Sequence, residues 1–451
     1  MISYAVVLAI FTACVLVGRV VKRRMNPAYL WRVTLRSIIW LAGLAGVSVA
    51  LGLAFASVPV ALQWAQFGLA AVLCASTFRT IRHMNPLPTE GKFAERDLPS
   101  VTIAIPARNE TQDLEECLRS AIASDYPKLE IIVLDDCSQQ KTADIIKGFA
   151  QDGVRFIPGE APAKRWLAKN QAYQSLYEHA SGDIILFCGV DIRFGVSAVR
   201  HIIYQMLERD KRMVSILPMR KHAALDDSYI QPIRYWWEIA LPRRLFNRPA
   251  VLSSCWAIYR EDIHALGSFK STSRSVIPEQ YFARELVKHD DYSFLRTSAE
   301  LDVSTAKAIT DQRNTALRLR YPQLHKRPEF VYVLLMVYGV GLLDVVFGWP
   351  LLYLAGDSWG VTAAAAVLLV LTHIQILRIS DPANVLFAAV TLPVAIMTDF
   401  VLVVNSMLKY EFFSVFWKQR NICLPVMHVY ASLPRLEELP KHETKDSHPS
   451  P

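Results

Sequence analysis

Apolar positions in this chain form long unbroken runs at both ends and short β-branched runs in the middle. The first long run, Ile2–Val17, is followed by Arg19, Lys22, Arg23 and Arg24. A cleaved leader carries its basic residues in front of the apolar stretch. The observed order therefore predicts a first membrane helix with its N-terminus outside. Residues 19–36 hold six basic side chains and no acidic one, which the positive-inside rule assigns to the cytoplasm. No charged residue occurs from Ser37 to Phe78. As one helix that run would measure roughly 60 Å, about twice a hydrocarbon core, so it predicts two passes with a turn near Ser57–Gln63. Arg79, Arg82 and His83 then mark a return to the cytoplasm. Apolar runs resume at Phe330–Ala355, Val361–Leu377 and Ala383–Met407, with Asp344 and Asp399 inside two of them. A carboxylate at such a position must pair, reach water or face the bundle interior.

Three full passes after residue 330 would carry the tail outside, yet Lys409, Lys418 and Arg420 lie close to the last run. We adopt a cytoplasmic tail, with one segment re-entrant or interfacial and Pro393 as a candidate break. The expected layout is a membrane region over 1–84, a linker over 85–99 and a cytoplasmic domain over 100–329. A second membrane region follows over 330–408, then a basic interfacial segment and polar tail over 409–451.

Between the membrane regions the pattern changes. VTIAIP (Val101–Pro106), EIIVLDD (Glu130–Asp136), VRFI (Val154–Ile157) and DIILFC (Asp183–Cys188) read as strands. Gln112–Ser124, Gln139–Gln151 and Lys169–Ala180 read as amphipathic helices between them. This alternation predicts βαβ units and a parallel sheet. Ligands of such sheets sit beyond the carboxyl ends of the strands. Those ends carry Arg108, Asn109 and Glu110, then Asp135 and Asp136, then Asp191.

Composition agrees with this division. Of 451 residues, 52% are hydrophobic and 20% charged, and the formal net charge is +8. The basic residues flank the apolar runs instead of forming a stripe on the middle domain, which argues against nucleic acid as a partner. The seven cysteines include no CxxC pair, so neither a zinc site nor a disulfide framework is expected and a reducing compartment fits. No GxGxxG follows the first strand, so a glycine-rich phosphate cradle is missing. Converging carboxylates alone would repel a diphosphate; a divalent cation between them removes that conflict and stabilises a leaving diphosphate. Asp at a strand end also caps helices and makes turns.

PARNE (Pro106–Glu110), DDCS (Asp135–Ser138), RWLAKNQA (Arg165–Ala172) and GVD (Gly189–Asp191) follow one another in the order of a known set of motifs. SSCWAIYRED (Ser253–Asp262), PEQ (Pro278–Gln280), QRNTALR (Gln312–Arg318) and WKQR (Trp417–Arg420) continue the series. Together they resemble the inverting, membrane-bound family 2 glycosyltransferases, over about Ser100–Tyr321 and the flanking membrane layout. The resemblance implies a GT-A-like, Rossmann-related mixed α/β sheet flanked by N- and C-terminal transmembrane helices. It implies Mg2+ or Mn2+ as cofactor and a UDP- or GDP-sugar donor. The acceptor would be a lipid, a lipid-linked sugar or a glycan of the cell envelope, and the location a multi-pass plasma-membrane protein. By the same resemblance Pro106, Arg108, Glu110, Asp135, Asp136, Lys169 and Trp256 would line the nucleotide-sugar pocket, with Lys169 near the diphosphate. Asp191 would hold the metal. Glu279, Gln280, Gln312 and Arg313 would stand at the reacting side.

Three departures matter. The family's Asp-x-Asp is Gly189-Val190-Asp191, which predicts weaker metal binding. The family's catalytic Asp is Gln280, which is no base. Its later Arg falls at Thr315, so Arg313 is named as a displaced equivalent. Either Glu279 serves as base, or the acceptor is an already anionic phosphate, or the chain is an inactive relative that binds a nucleotide-sugar or a partner. Tyr235, Trp236 and Trp237, with Arg243 and Arg244, suit the headgroup zone of a bilayer or plain core packing.

Overall fold

The computed structural model describes residues 58–88, 93–139, 141–163, 165–220, 230–241, 249–355, 358–412, 415–418 and 420–422. The expected helix over 2–17, the basic segment 19–36, Arg243, Arg244 and the tail beyond 422 lie outside them.

A 27-residue helix, α1 (Val58–Met84), leads towards the middle domain. The turn expected near 57–63 is already helical from Val58. Gln63, at the end of the expected turn, donates to the Ser358 carbonyl at 2.8 Å. The linker is pinned down as well, because Leu87 exchanges two hydrogen bonds with the Gln205 side chain.

The middle domain alternates β1 (Val101–Ala107), α2 (Gln112–Ile122), β2 (Leu129–Asp135), α3 (Thr142–Gly148), β3 (Val154–Pro158), α4 (Ala168–His179) and β4 (Ile184–Cys188). Then come β5 (Ile192–Phe194), α5 (Ala198–Glu208), β6 (Met213–Leu217), α6 (Gln231–Ile239), β7 (Cys255–Tyr259) and α7 (Arg260–Ala265). The last elements are α8 (Glu279–Val287), β8 (Tyr292–Arg296), β9 (Val303–Thr305) and α9 (Ile309–Gln323). Seven strands form one sheet in the order β3-β2-β1-β4-β7-β6-β8. The first four strands in that order run parallel, with Ala107 beside Asp135. β7 is antiparallel to both β4 and β6. β5 pairs with β9 in a small separate ribbon. β1, β2 and β4 are largely buried, as expected for strands covered on both faces.

Each face has its own core. One contains Ile103, Leu118, Leu186 and Ile202, beneath α2 and α5. The other contains Phe187, Trp256 and Phe282 and runs on without a break into Ile233, Tyr338, Leu369 and Leu392. That second core joins the sheet to the apolar helices, so the domain and the helix bundle share packed side chains.

After the domain come α10 (Pro328–Met336), a π-helical stretch (Val337–Leu343), α11 (Asp344–Ala355), α12 (Gly360–Ser380) and α13 (Ala388–Phe412). Among the described residues four helical segments are long and apolar enough to cross a membrane: 60–84, 328–354, 360–380 and 382–412. Pro393 does not break the last one; the irregular part is a 3-10 stretch, Pro382–Phe387, ahead of α13. Both carboxylates in the apolar runs are paired. Asp344 accepts from Gln66 at 2.8 Å, and Asp399 lies 2.5 Å from Arg320 and accepts from Tyr338.

Candidate active site

The carboxyl ends of β1, β2 and β4 lie side by side, which brings their loops together. Neighbouring strands are about 4.8 Å apart, so the β2 and β4 ends flank β1 across roughly 10 Å. After β1, Arg108 turns inward and donates to the carbonyls of Asp136 and Cys137, and its Nε donates to the Lys418 carbonyl at 3.0 Å. Asn109 adopts a left-handed backbone, φ 49°, which Asn tolerates better than most residues. That turn aims its N–H at Ser138 Oγ (2.9 Å) and its side-chain oxygen at the N–H of Gln139 (2.8 Å). Glu110 forms an ion pair with Lys418 at 2.5 Å. Burial raises the Glu110 carboxyl above its usual range, and Lys418 opposes the shift.

The β2 end is equally tied down. Asp135 accepts from the hydroxyl of Ser138, and Asp136 donates its N–H to the Ala107 carbonyl at 2.8 Å. Gly159 passes so close that a Cβ there would fall 2.5 Å from the Asp135 carbonyl. Pro106 is half-buried inside β1. These contacts form a network of short-range bonds between two adjacent loops.

Asp191, beyond β4, is half-buried. Its carboxylate accepts from Thr305 Oγ1 at 3.2 Å and stands 3.9 Å from Lys307 Nζ. Its carbonyl accepts from the Ala306 N–H. A Cβ at Gly189 would meet Asp191 Oδ1 at 2.5 Å, so this glycine leaves room for the carboxylate of the residue two positions on. Among the described residues no group of three or more His, Cys, Asp and Glu side chains is placed to hold a metal. Asp191 is nevertheless a hard oxygen donor at the strand end. It fits Mg2+ or Mn2+ as one ligand, with the other positions left to substrate oxygens and water.

Lys169 opens α4 and lies 3.9 Å from Glu279, the first residue of α8. Burial lowers the Lys169 ammonium to about 8; Glu279 opposes this, while Arg318, Arg234 and Lys307 push the same way. Lys307 is lowered by burial, with Asp191 opposing and Arg234 and Arg318 adding to it. Arg318 is lowered by burial first, and Arg234 again contributes. Lys169, Lys307, Arg318 and Arg234 therefore crowd together and disfavour one another's charge. Glu279 is only 2% exposed, and its Oε2 has no hydrogen-bond partner.

The remaining expected site residues are less central. Gln280 is half-buried and opens on a cleft of about 650 Å³. Gln312 donates to the Lys307 carbonyl at 3.1 Å, and its side-chain oxygen has no partner. Arg313 points outward and is exposed. Trp256, expected to shape the sugar pocket, is 0% exposed and stacks on Phe187 at 4.5 Å. It sits on β7 between two strands, where a large ring fills the core. Four cations escaped the sequence reading as parts of one site: Lys307, Arg318, Arg234 and Lys418. Arg318 was hidden in a basic run ahead of a membrane helix, and Lys418 reaches the site from the far end of the chain.

The model of glycosyl transferase family 2 matches residues 102–267, the segment that supplies these strands and loops. The segment is a family 2 glycosyltransferase domain. A probable glycosyltransferase of Bacillus subtilis is 29% identical over 120 residues, 26% of this chain and 28% of that protein. A 4,4'-diaponeurosporenoate glycosyltransferase of Staphylococcus aureus is 32% identical over 121 residues, 26% of this chain and 32% of that protein. The chain thus spans about a third or less of the curated relatives it matches. A mannosyltransferase from Pyrobaculum calidifontis, solved with GDP-Man and Mn2+, superposes with a TM-score of 0.46 at 17% identity, over 78% of this chain and 96% of that one. The domain that holds this segment has a seven-stranded mixed α/β sheet, flanked on both sides by apolar helices.

Proposed function

We propose that the chain is a membrane-bound enzyme that transfers a sugar from a UDP- or GDP-sugar to an acceptor at the membrane surface, inverting the anomeric carbon. The observation that carries this reading is Asp191 beyond β4, with Lys307 Nζ 3.9 Å away and the polar ends of β1 and β2 on the adjoining strands. Burial holds the Lys169 and Lys307 ammonium groups below their usual range, a setting that favours an anion beside them, and a sugar nucleotide brings a diphosphate. The loops carrying Pro106, Arg108, Glu110, Asp135 and Asp136 supply the nucleoside side of the same opening.

In the proposed reaction an acceptor oxygen attacks the anomeric carbon. The bond to the β-phosphate oxygen breaks, and its electron pair leaves with the nucleoside diphosphate. Lys169, Lys307 and Arg318 stabilise that leaving charge electrostatically, and Gln312 closes the site from the acceptor side. Asp191 would hold Mg2+ or Mn2+, a Lewis acid for the leaving diphosphate. Glu279 is shut from solvent against Lys169, and the residue facing the open cleft is Gln280. This arrangement suits an acceptor oxygen that is already anionic, and Glu279 then holds Lys169 in place.

The membrane layout belongs to the same reading. Arg220 donates to the Ser380 carbonyl at 2.8 Å, so the last apolar segment starts beside the domain. It also ends there: Ser406 bonds Leu317 and Tyr321, and Tyr410 bonds Arg318. Val390, Val394, Met397 and Val401 form an exposed apolar stripe on α13. A helix with both ends on the domain and one apolar stripe suits an interfacial position. The tail, through Lys418, then stays on the cytoplasmic side with the domain.

Gly189 and Gln280, where the family carries carboxylates, favour a second reading: a non-catalytic protein that binds a nucleotide-sugar. Purified protein with radiolabelled UDP- and GDP-sugars separates the two. Sugar transfer or donor hydrolysis that disappears in Asp191→Ala supports the enzyme. Binding without any turnover supports the second reading.

A further inference from the structure

A cavity of about 780 Å³ lies between the domain and the apolar helices. This is within the size range of ligand pockets. Its apolar walls come mainly from three helical segments. Leu69 and Leu73 belong to α1, Ile233 and Trp236 to α6, and Leu334 and Leu342 to the α10 segment. Phe330, Val333 and Val337 line it and keep more than a third of their surface exposed. The cavity lies beside two segments, 60–84 and 328–354, long and apolar enough to cross a bilayer. A deep apolar space open on that flank is accessible to hydrocarbon.

Its polar end is different. Arg284, Gln323, His325 and Arg327 line it there. Arg284 Nε and Gln323 Oε1 are buried atoms without a hydrogen-bond partner among the described residues. Leaving such atoms unsatisfied is unfavourable, so they point to a polar group that is not part of the chain. Arg284 and His325 also line the 650 Å³ cleft that contains Gln280, together with Lys326. The two spaces thus share a wall. Arg284 is one helical turn beyond Gln280 on α8, a rise of about 6 Å. Two carboxylates share these walls, Glu238 in the cavity and Glu285 in the cleft, and Glu285 pairs with Lys288 at 2.6 Å.

We infer that this cavity holds the hydrocarbon chain of a lipid that carries a phosphate headgroup, with the phosphate at Arg284 and its reactive oxygen directed along α8 towards Gln280. The apolar walls take the chain, and the guanidinium takes two phosphate oxygens. Arg327 and Lys326 add positive charge on the bilayer side. The inference rests on the transferase reading and names its acceptor class: a bilayer lipid phosphate, anionic at neutral pH and with no proton to surrender. Gln280 in place of a carboxylate follows directly, because a carboxylate there would repel such a headgroup.

The test uses the full chain in lipid nanodiscs with two photoactivatable probes, a long-chain lipid monophosphate and the matched neutral diacylglycerol. A water-soluble short-chain monophosphate serves as competitor. Binding of a UDP- or GDP-sugar is measured in parallel. The expected result is labelling of peptides 60–84 and 328–343, favouring the phosphate probe by about tenfold, the usual weight of a charged hydrogen bond. Val337→Trp or Val333→Trp fills the cavity and lowers labelling by both probes, with nucleotide-sugar binding unchanged. Arg284→Gln removes the preference for phosphate and leaves labelling by the neutral probe. Equal labelling by both probes in the native chain overturns the inference. So does labelling that neither tryptophan variant reduces, or that the soluble phosphate alone abolishes. Loss of nucleotide-sugar binding in the native chain would instead remove the transferase reading, and the lipid result would still be read separately.

Discussion

The two halves of the site are built in different ways. At the strand ends proposed to hold the donor, Arg108, Asn109, Asp135 and Ser138 hold one another through bonds between adjacent loops of a parallel sheet. On the other side, Glu279, Gln312, Lys307 and Arg318 come from α8, α9 and the turn between β9 and α9. α9 is instead held by the last apolar segment, through Ser406, Tyr410 and the Arg320–Asp399 pair. The first half is thus preorganised by the fold alone, while the second depends on the helix bundle. The apolar helix bundle has a positional consequence: it holds α9, which carries Arg318 and Gln312.

The strongest way to break that contrast is Asp399→Ala. It leaves Arg320 buried and uncompensated, an effect of about 3–5 kcal/mol. A fall in thermal stability of that size is expected, with acceptor transfer lost before nucleotide binding. The paired replacement Arg320→Met with Asp399→Leu should recover most of the stability, because a well-packed apolar pair replaces the charges. Thermal unfolding in detergent, followed beside nucleotide binding, checks both.

Glu279→Gln sharpens the comparison from the other side. With an anionic acceptor, Glu279 acts only through Lys169, so turnover should fall about tenfold, far short of the ~10²–10⁴-fold expected on losing a general base. The dependence of kcat on pH should keep its shape. Steady-state rates across pH decide this.

Lys169 gives a smaller, pH-dependent effect. Its ammonium, held down to about 8 by burial, is charged below that pH and neutral above it. Donor affinity should therefore decline as pH rises through about 8, and Lys169→Met should flatten the profile. The smallest effect belongs to Lys418→Ala. The Glu110 pair is partly exposed, and pairs of that kind contribute about 0–1 kcal/mol. Nucleotide affinity should change by no more than a few-fold, with protein stability unaltered.

The same contrast governs what the sequence disclosed. The residues at the strand ends lie directly after β-branched runs, so a strand pattern with polar punctuation located Arg108, Glu110, Asp135, Asp136 and Asp191 on one edge. The other half of the candidate site has no such pattern. Gln312, Arg313 and Arg318 share one helix, and only packing against α13 decides that Arg318 turns inward and Arg313 outward. Trp256 was misread because an aromatic beside a motif looks the same whether it faces a ligand or the core. The expected turn ran through Gln63, whose partner, the Ser358 carbonyl, lies 295 positions away. Lys418 reaches Glu110 from 308 positions away, a distance over which no local pattern carries information.

The measurement closest to the central claim is calorimetric titration of UDP- and GDP-sugars into the purified chain, with and without Mn2+, for the native protein and Asp191→Ala. The account predicts binding of one donor that requires the cation and that Asp191→Ala weakens by about 10²-fold or more, the size of losing a key charged contact. Donor binding of equal strength without cation, or unchanged in Asp191→Ala, would contradict it.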